Sequence, residues 1–159
     1  MKRVAFIGHR TVYRSDKIRE RLRETVESCV VEGYDKFIMG AHGEFDKIAL
    51  EVCRREREIH TQIKIEVVLT SYHKIESKGG GFYNPYEDVE TIFFDIEDFY
   101  FKRQITESNR KMIDISDMVV CYVENDRFLS GAKRAAEYAA KKGLKIINVF
   151  RKEDFNSFV

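Results

Sequence analysis

Residues 118–150, MVVCYVENDRFLSGAKRAAEYAAKKGLKIINVF, decide the fold class of this chain. Residues 118–123 are nearly all apolar, as is typical of a central parallel strand that is covered on both faces. A polar loop leads to an alanine-rich helix over residues 131–142, which Gly143 closes, and residues 145–150 form a second strand. The alanines permit a close approach of helix and sheet. This strand–helix–strand unit predicts an α/β fold.

The same alternation of strands and helices extends through the rest of the chain. Strands are predicted at residues 3–8, 36–40, 63–69 and 91–94, and helices from Ser15 or Asp16 to about 32, from 44 to about 60, and over 101–116. Strands that alternate with helices form a largely parallel sheet. The sequence therefore predicts one domain, residues 1–159, with a Rossmann-like three-layer fold and a mostly parallel sheet.

Apolar residues recur at helical spacing in the first two predicted helices, which indicates the face that each helix buries. The first helix is capped by Ser15 or Asp16 and ends at Gly33. The residues expected to face inward are Ile18, Leu22, Val26 and Cys29 in the first helix, and Phe45, Ile48, Val52 and Ile59 in the second.

A glycine-rich flap is predicted at about residues 76–90. It contains SKGGGFYNPYE, with three successive glycines and the only proline of the chain. Phe82, Tyr83 or Tyr86 could stack on the base of a ligand when the flap closes. Local packing of a long loop is the alternative explanation for these aromatic residues.

Composition excludes several classes of protein. The chain has 28 basic and 27 acidic side chains and a net charge of +1, which argues against binding to duplex nucleic acid. No apolar run approaches the length of a membrane span, so we expect no membrane contact and a cytoplasmic location.

The three cysteines fit neither a zinc knuckle nor a CxxC pair and are expected to be buried. The sequence predicts no metal site and no cofactor.

Three loops follow predicted strands, at the sheet edge where open α/β folds bind ligands. The first loop is GHR, formed by Gly8, His9 and Arg10. Glycine allows a ligand to approach the backbone, while His9 and Arg10 can donate hydrogen bonds to phosphate or sugar oxygens. An ordinary turn with an exposed basic pair is the alternative.

The second loop is GAHGEFD, in which Gly40, His42 and Gly43 form a turn before a helix. Free backbone N–H groups at a helix N-terminus attract anions. Glu44 and Asp46 could accept hydrogen bonds from ribose hydroxyls, or they could complement the helix dipole. A metal site formed by His42, Glu44 and Asp46 is a less favoured alternative.

The third loop ends in Ser130 and Gly131, which open the last helix and offer another anion-binding helix end. Asn109 lies shortly before the fifth strand and is a further candidate, although it could equally be a surface side chain.

Together these loops resemble the SLOG superfamily, which includes the Smf/DprA proteins, the lonely-guy phosphoribohydrolases and the YpsA-like proteins. The chain looks most like the YpsA-like branch. The resemblance implies a pocket for nucleotides, nucleotide sugars or NAD-derived molecules, and it is compatible with homo-oligomers. The segments that carry it are VAFIGHR, FIMGAHGEFDKIA, VVLTSY, SNRKMIDISDMVVCYV and SGAKRAAEYAAKKGLKIIN.

The lonely-guy enzymes differ from this chain at the last helix. They carry PGGxGTxxE, whereas this chain has SGAKRAAE, with Arg134 near the expected acid. In the similar nucleoside deoxyribosyltransferases the catalytic glutamate would fall on Ala135. The usual carboxylate for N-glycosidic cleavage is therefore missing from both alignments.

The leading hypothesis is a sensor or regulatory module that binds a nucleotide-derived ligand and is not an enzyme. The alternative is an N-glycosidic hydrolase or transferase that uses Glu44 or Asp46 as acid or nucleophile. A third interpretation is an interaction protein with a vestigial pocket.

Overall fold

Strands and helices alternate along the computed structural model, which describes residues 1–70, 84–96, 99–127 and 130–155. The strands are β1 Lys2–Gly8, β2 Tyr34–Met39, β3 Lys64–Leu69, β4 Glu90–Phe93, β5 Met118–Tyr122 and β6 Lys145–Asn148. The helices are α1 Ser15–Val31, α2 Glu44–Ile59, α3 Phe101–Asp114 and α4 Gly131–Lys141, followed by a 3₁₀ turn at Lys152–Phe155. These bounds lie within two residues of the predicted ones.

All six strands form one sheet in the order β4-β3-β2-β1-β5-β6, and every pairing is parallel. The chain proceeds outward from β1 to β4 and then returns to place β5 on the other side of β1. The strand order therefore switches between β1 and β5. In open parallel sheets a crevice forms at this point, beyond the carboxyl ends of the strands.

Two apolar layers cover the sheet, because successive residues of each strand point to opposite faces. In β1, Val4 and Phe6 pack with α1 and α2, whereas Ala5 and Ile7 pack with α3 and α4. This arrangement confirms the predicted three-layer α/β fold. It also explains why β5 is apolar throughout.

The predicted buried face of α1 is confirmed, since all four of its residues are buried. The prediction for Ile59 is wrong: its side chain is 71% exposed, because α2 ends at this residue. The predicted cap of α1 is also wrong. Arg14 occupies the cap position in the left-handed conformation, with φ 54°, and no side chain caps the helix. Gly33 has φ +97°, which fits its predicted place just after the helix.

Part of the predicted flap is anchored to α2. The guanidinium groups of Arg54 and Arg57 bind the Asp88 carboxylate, and their charges lower its pKa to about 2. Tyr86 packs against the hydrophobic core, which favours local packing over stacking on a base. The glycines at 79–81, Phe82 and Tyr83 lie outside the described residues.

The three cysteines are buried free thiols, as predicted. Burial raises the pKa of each thiol, so these side chains are poor nucleophiles. Within the described ranges, no helix combines the length and the apolar character that crossing a membrane requires.

Candidate functional site

A cavity of about 860 Å³ opens at the carboxyl ends of β1, β2 and β3, facing the N-terminus of α4. Its volume falls in the range of small-molecule sites, roughly 300–1,000 Å³. All of the predicted site residues except Glu44 line it. They are Gly8, His9, Arg10, Gly40, His42, Gly43, Asp46, Asn109, Ser130 and Gly131.

The two candidate catalytic carboxylates occupy different surroundings. Glu44 accepts a hydrogen bond from the Val12 backbone N–H at 2.8 Å and is not part of the cavity lining. Asp46 does line the cavity, and its Oδ2 accepts from the His42 N–H at 3.0 Å. Burial raises the pKa of Asp46 to about 6, while hydrogen bonds from the His42 and Gly43 backbone oppose this rise. Asp46 is thus the candidate acid or base in the cavity.

Two of the glycines are required by close packing between loops. A Cβ on Gly8 would lie 2.4 Å from the Phe45 ring, and one on Gly43 would lie 2.7 Å from the Cα of Arg10. The GHR loop therefore sits directly against the start of α2, and neither position has room for a side chain. This packing is sufficient to explain both glycines. From the sequence, Gly8 was interpreted as allowing a ligand to approach the backbone, and Gly43 as part of a turn before a helix.

His9 is a buried, neutral part of the cavity wall. The Glu124 backbone N–H donates to Nε2 at 2.9 Å, so the proton of the neutral ring lies on Nδ1. Nδ1 lies 3.1 Å from Ser130 Oγ and donates to it. Burial, together with the smaller effect of the positive charge of Arg127, lowers the pKa of His9 to about 4. His9 thus joins the loops after β1 and β5, and it carries no positive charge at neutral pH.

Ser130 caps α4 and is prepared to donate a hydrogen bond into the cavity. Its Oγ accepts from the Lys133 N–H at 3.2 Å as well as from His9. With both lone pairs engaged, the hydroxyl hydrogen is available to a ligand. A Cβ on the neighbouring Gly131 would meet no atom of the described residues within 4 Å, so a ligand atom could approach the start of α4.

The cavity is strongly cationic, although the chain as a whole has a net charge of only +1. Among the described residues, six basic side chains line it against two acidic ones, Asp46 and Glu107. Within the described part of the chain, four of the six have no carboxylate partner: Arg10, Lys102, Arg103 and Arg134. The Arg103 guanidinium lies over the Phe99 ring, 4.5 Å from its centroid. Arg110 and Arg127 each make one long ion pair, at 3.9 and 3.8 Å.

The sequence analysis missed the contribution of α3. This helix provides Lys102, Arg103, Thr106, Ser108 and Arg110 to the lining, in addition to the predicted Asn109. The sequence does contain a feature that could have identified these residues. The helix that follows β4 must begin near the carboxyl edge of a parallel sheet, where the ligand site was predicted. Arg103, Thr106 and Arg110 recur at i, i+3 and i+7, which places them on one polar face.

The predicted metal ligands do not all line this cavity. His42 and Asp46 are in the lining, whereas Glu44 is outside it and accepts from the Val12 N–H of the loop before α1. Across the described residues, no group of three or more His, Cys, Asp or Glu side chains could hold a metal ion.

Comparison with models of known protein families gives no match for this sequence. A search of curated proteins gives no significant match either. The function is therefore inferred from the geometry and charge of the cavity.

Proposed function

We propose that this protein is a sensor or regulatory module that binds a phosphate-bearing, nucleotide-derived ligand in the cavity. The observation that carries the proposal is the excess of six basic over two acidic side chains at the switch point of the sheet. Unpaired guanidinium and ammonium groups around a concave site favour an anionic ligand. The open N-terminus of α4 adds backbone N–H donors to the same space.

The nucleotide part of the proposal rests on the resemblance to the SLOG superfamily, and in particular to its YpsA-like branch. A nucleotide sugar, NAD or an ADP-ribose type of molecule would match the charge and the size of the cavity. Such ligands are cytoplasmic metabolites, so a cytoplasmic location belongs to the proposal. Homo-oligomers remain a prediction.

Calorimetric titration with ADP-ribose, AMP, adenosine and pyrophosphate tests the proposal. We expect the phosphate-bearing compounds to bind and adenosine to bind much more weakly. Arg10→Ala should weaken binding of ADP-ribose about 10- to 100-fold, the cost of a lost charge-assisted hydrogen bond. Because Arg10 is exposed, its loss should leave the melting temperature nearly unchanged.

Arg55→Ala is the matched control, since Arg55 is an exposed arginine of α2 outside the cavity. It should leave affinity at the wild-type value. Equal binding of adenosine and AMP, or no binding of any phosphate compound, would overturn the proposal.

One observation favours the alternative, an N-glycosidic hydrolase or transferase. Asp46 is a carboxyl group in the cavity whose pKa is raised to about 6, as suits a general acid or base. The test incubates the protein with AMP, NAD, ADP-ribose and deoxynucleosides, and measures the released base by chromatography. Steady release that is lost in Asp46→Asn but kept in Glu44→Gln would establish the enzyme. The binding-module proposal predicts no steady release from the wild type.

A further inference from the structure

One side of the cavity, here called the inner wall, is apolar, in contrast to the cationic side chains that line the rest. Ile7 of β1, Val68 of β3 and Met112 of α3 line this wall, and each is at most 2% exposed. They belong to the apolar layer between the sheet and the helices α3 and α4. The cavity thus reaches the hydrophobic core on one side, a surface that an inorganic anion would not use.

Ser108 is a polar residue on this otherwise apolar wall. It lies on α3, one turn before Met112, and it is 3% exposed. Its Oγ is buried and has no hydrogen-bond partner in the described part of the chain. Serine and threonine in a helix commonly bond to the carbonyl four residues earlier, as Ser116 Oγ does with Met112 O at 2.6 Å. Ser108 does not use this option.

An unsatisfied buried hydroxyl destabilises the fold, so it calls for a partner, and the described part of the protein does not supply one. A serine hydroxyl changes direction by rotation about a single bond, among three staggered positions. A ligand seated on the inner wall can therefore recruit it, and the hydroxyl can donate or accept.

We infer that the inner wall holds the uncharged ring of the ligand, with Ser108 hydrogen-bonded to a polar atom of that ring. The inference rests on the proposed function, because it assumes that the cations hold the anionic part of the same molecule. It narrows the ligand class to phosphorylated ring compounds whose ring carries a hydroxyl, carbonyl or ring-nitrogen group. Ser108 is then a specificity-determining residue, and inorganic phosphate or pyrophosphate uses only the cationic part of the cavity.

The test compares Ser108→Ala with the wild type, using AMP, ADP-ribose and pyrophosphate as probes in calorimetric titrations. We expect Ser108→Ala to weaken binding of AMP and ADP-ribose about five- to tenfold and to leave pyrophosphate unchanged. Without ligand, the melting temperature should stay the same or rise, because an unsatisfied hydroxyl is removed. Ser28→Ala, an exposed serine on α1, is the matched control and should change neither property.

The possible failures are distinguishable. If the wild type binds AMP and ADP-ribose and Ser108→Ala binds them equally well, this inference is wrong and the proposed function stands. An equal loss for pyrophosphate would place Ser108 with the anion and overturn the assignment of the ring. A lower melting temperature of Ser108→Ala without ligand would show that the hydroxyl already has a structural partner. If the wild type binds none of the phosphate probes, the proposed function fails and the inference fails with it.

Discussion

Two helices, α2 and α4, begin at the same edge of the sheet and both open onto the cavity, but neighbouring protein groups lie much closer to the start of α2 than to the start of α4. At α2, the Asp46 carboxylate accepts from the His42 N–H, and a Cβ on Gly43 would collide with the neighbouring loop. At α4, among the described residues, a Cβ on Gly131 would meet no atom within 4 Å, and Arg134 adds a positive charge without an ion-pair partner. The protein's own groups occupy the start of α2, whereas the start of α4 is available to an anionic ligand.

The difference shows that a helix N-terminus alone does not make an anion site. The first turn of α2 carries Glu44 and Asp46, whose negative charges compensate the helix dipole, whereas the first turn of α4 has no acidic residue. Ionised Asp46 would also repel a phosphate. We therefore expect the anionic part of the ligand to bind at the start of α4.

The largest expected effect is that of a charge reversal at α4. Arg134→Glu should weaken ADP-ribose binding by about a hundredfold or more, because it removes a charge-assisted contact and adds repulsion. Stability should change little, since a glutamate in the first turn of a helix is favourable. Binding is measured by calorimetry, with Arg55→Glu as the control. A loss of ADP-ribose affinity of less than threefold would show that Arg134 does not contact the ligand.

The same substitution at the two helix ends should have opposite effects on stability. Gly43→Ala should destabilise the fold by about 1–3 kcal/mol, because its methyl group meets the Arg10 backbone at 2.7 Å. Gly131→Ala should be neutral or stabilising by up to about 1 kcal/mol, since the added methyl group has space and alanine favours helix. Urea unfolding measures both. Equal losses of stability would contradict the contrast between a filled and an open helix end.

The stability that His9 contributes by joining the loops after β1 and β5 should depend on pH. Its pKa is about 4 in the fold, below the ordinary 6.5, so the stability it contributes is complete above pH 6.5 and is lost as pH falls towards 4. Asp46 acts in the opposite direction, because its raised pKa lets the folded state take up a proton first. That effect is common to the wild type and to a His9 variant, so it cancels in their difference.

The stability advantage of the wild type over His9→Gln should therefore shrink by roughly 1–3 kcal/mol between pH 7 and pH 4.5. Urea unfolding at a series of pH values measures it. An advantage that is constant, or that grows on acidification, would show that His9 is not held neutral by burial.

Much of this arrangement was predictable from sequence. The strand–helix alternation fixed the parallel sheet, and parallel strands bring the loops that follow them to a single edge. Gly8, Gly40 and Gly131 lie around one cavity for that reason. The buried face of α1 followed from spacing alone, because the helix packs on one side against the sheet.

The roles of individual side chains were not predictable to the same degree. Glu44 and Asp46 are two residues apart, so a helix directs them to different sides, and sequence does not show which side meets the cavity. The position of the His9 proton on Nδ1 depends on Ser130 and on the Glu124 backbone, more than a hundred residues away along the chain, and the low pKa of His9 depends on its burial in the folded protein. The cations of α3 enter the site only through the packing of that helix.

A two-dimensional ¹H–¹⁵N NMR titration with ADP-ribose shows at which helix end the anion binds. We expect the Gly131 and Ala132 amide signals to shift most, because these N–H groups at the start of α4 have no partner among the described residues and would bind the phosphate oxygens. The His42 and Gly43 amides should move little, since Asp46 already occupies them. Large shifts at His42 and Gly43, with Gly131 and Ala132 unmoved, would contradict the account and place the anion at α2.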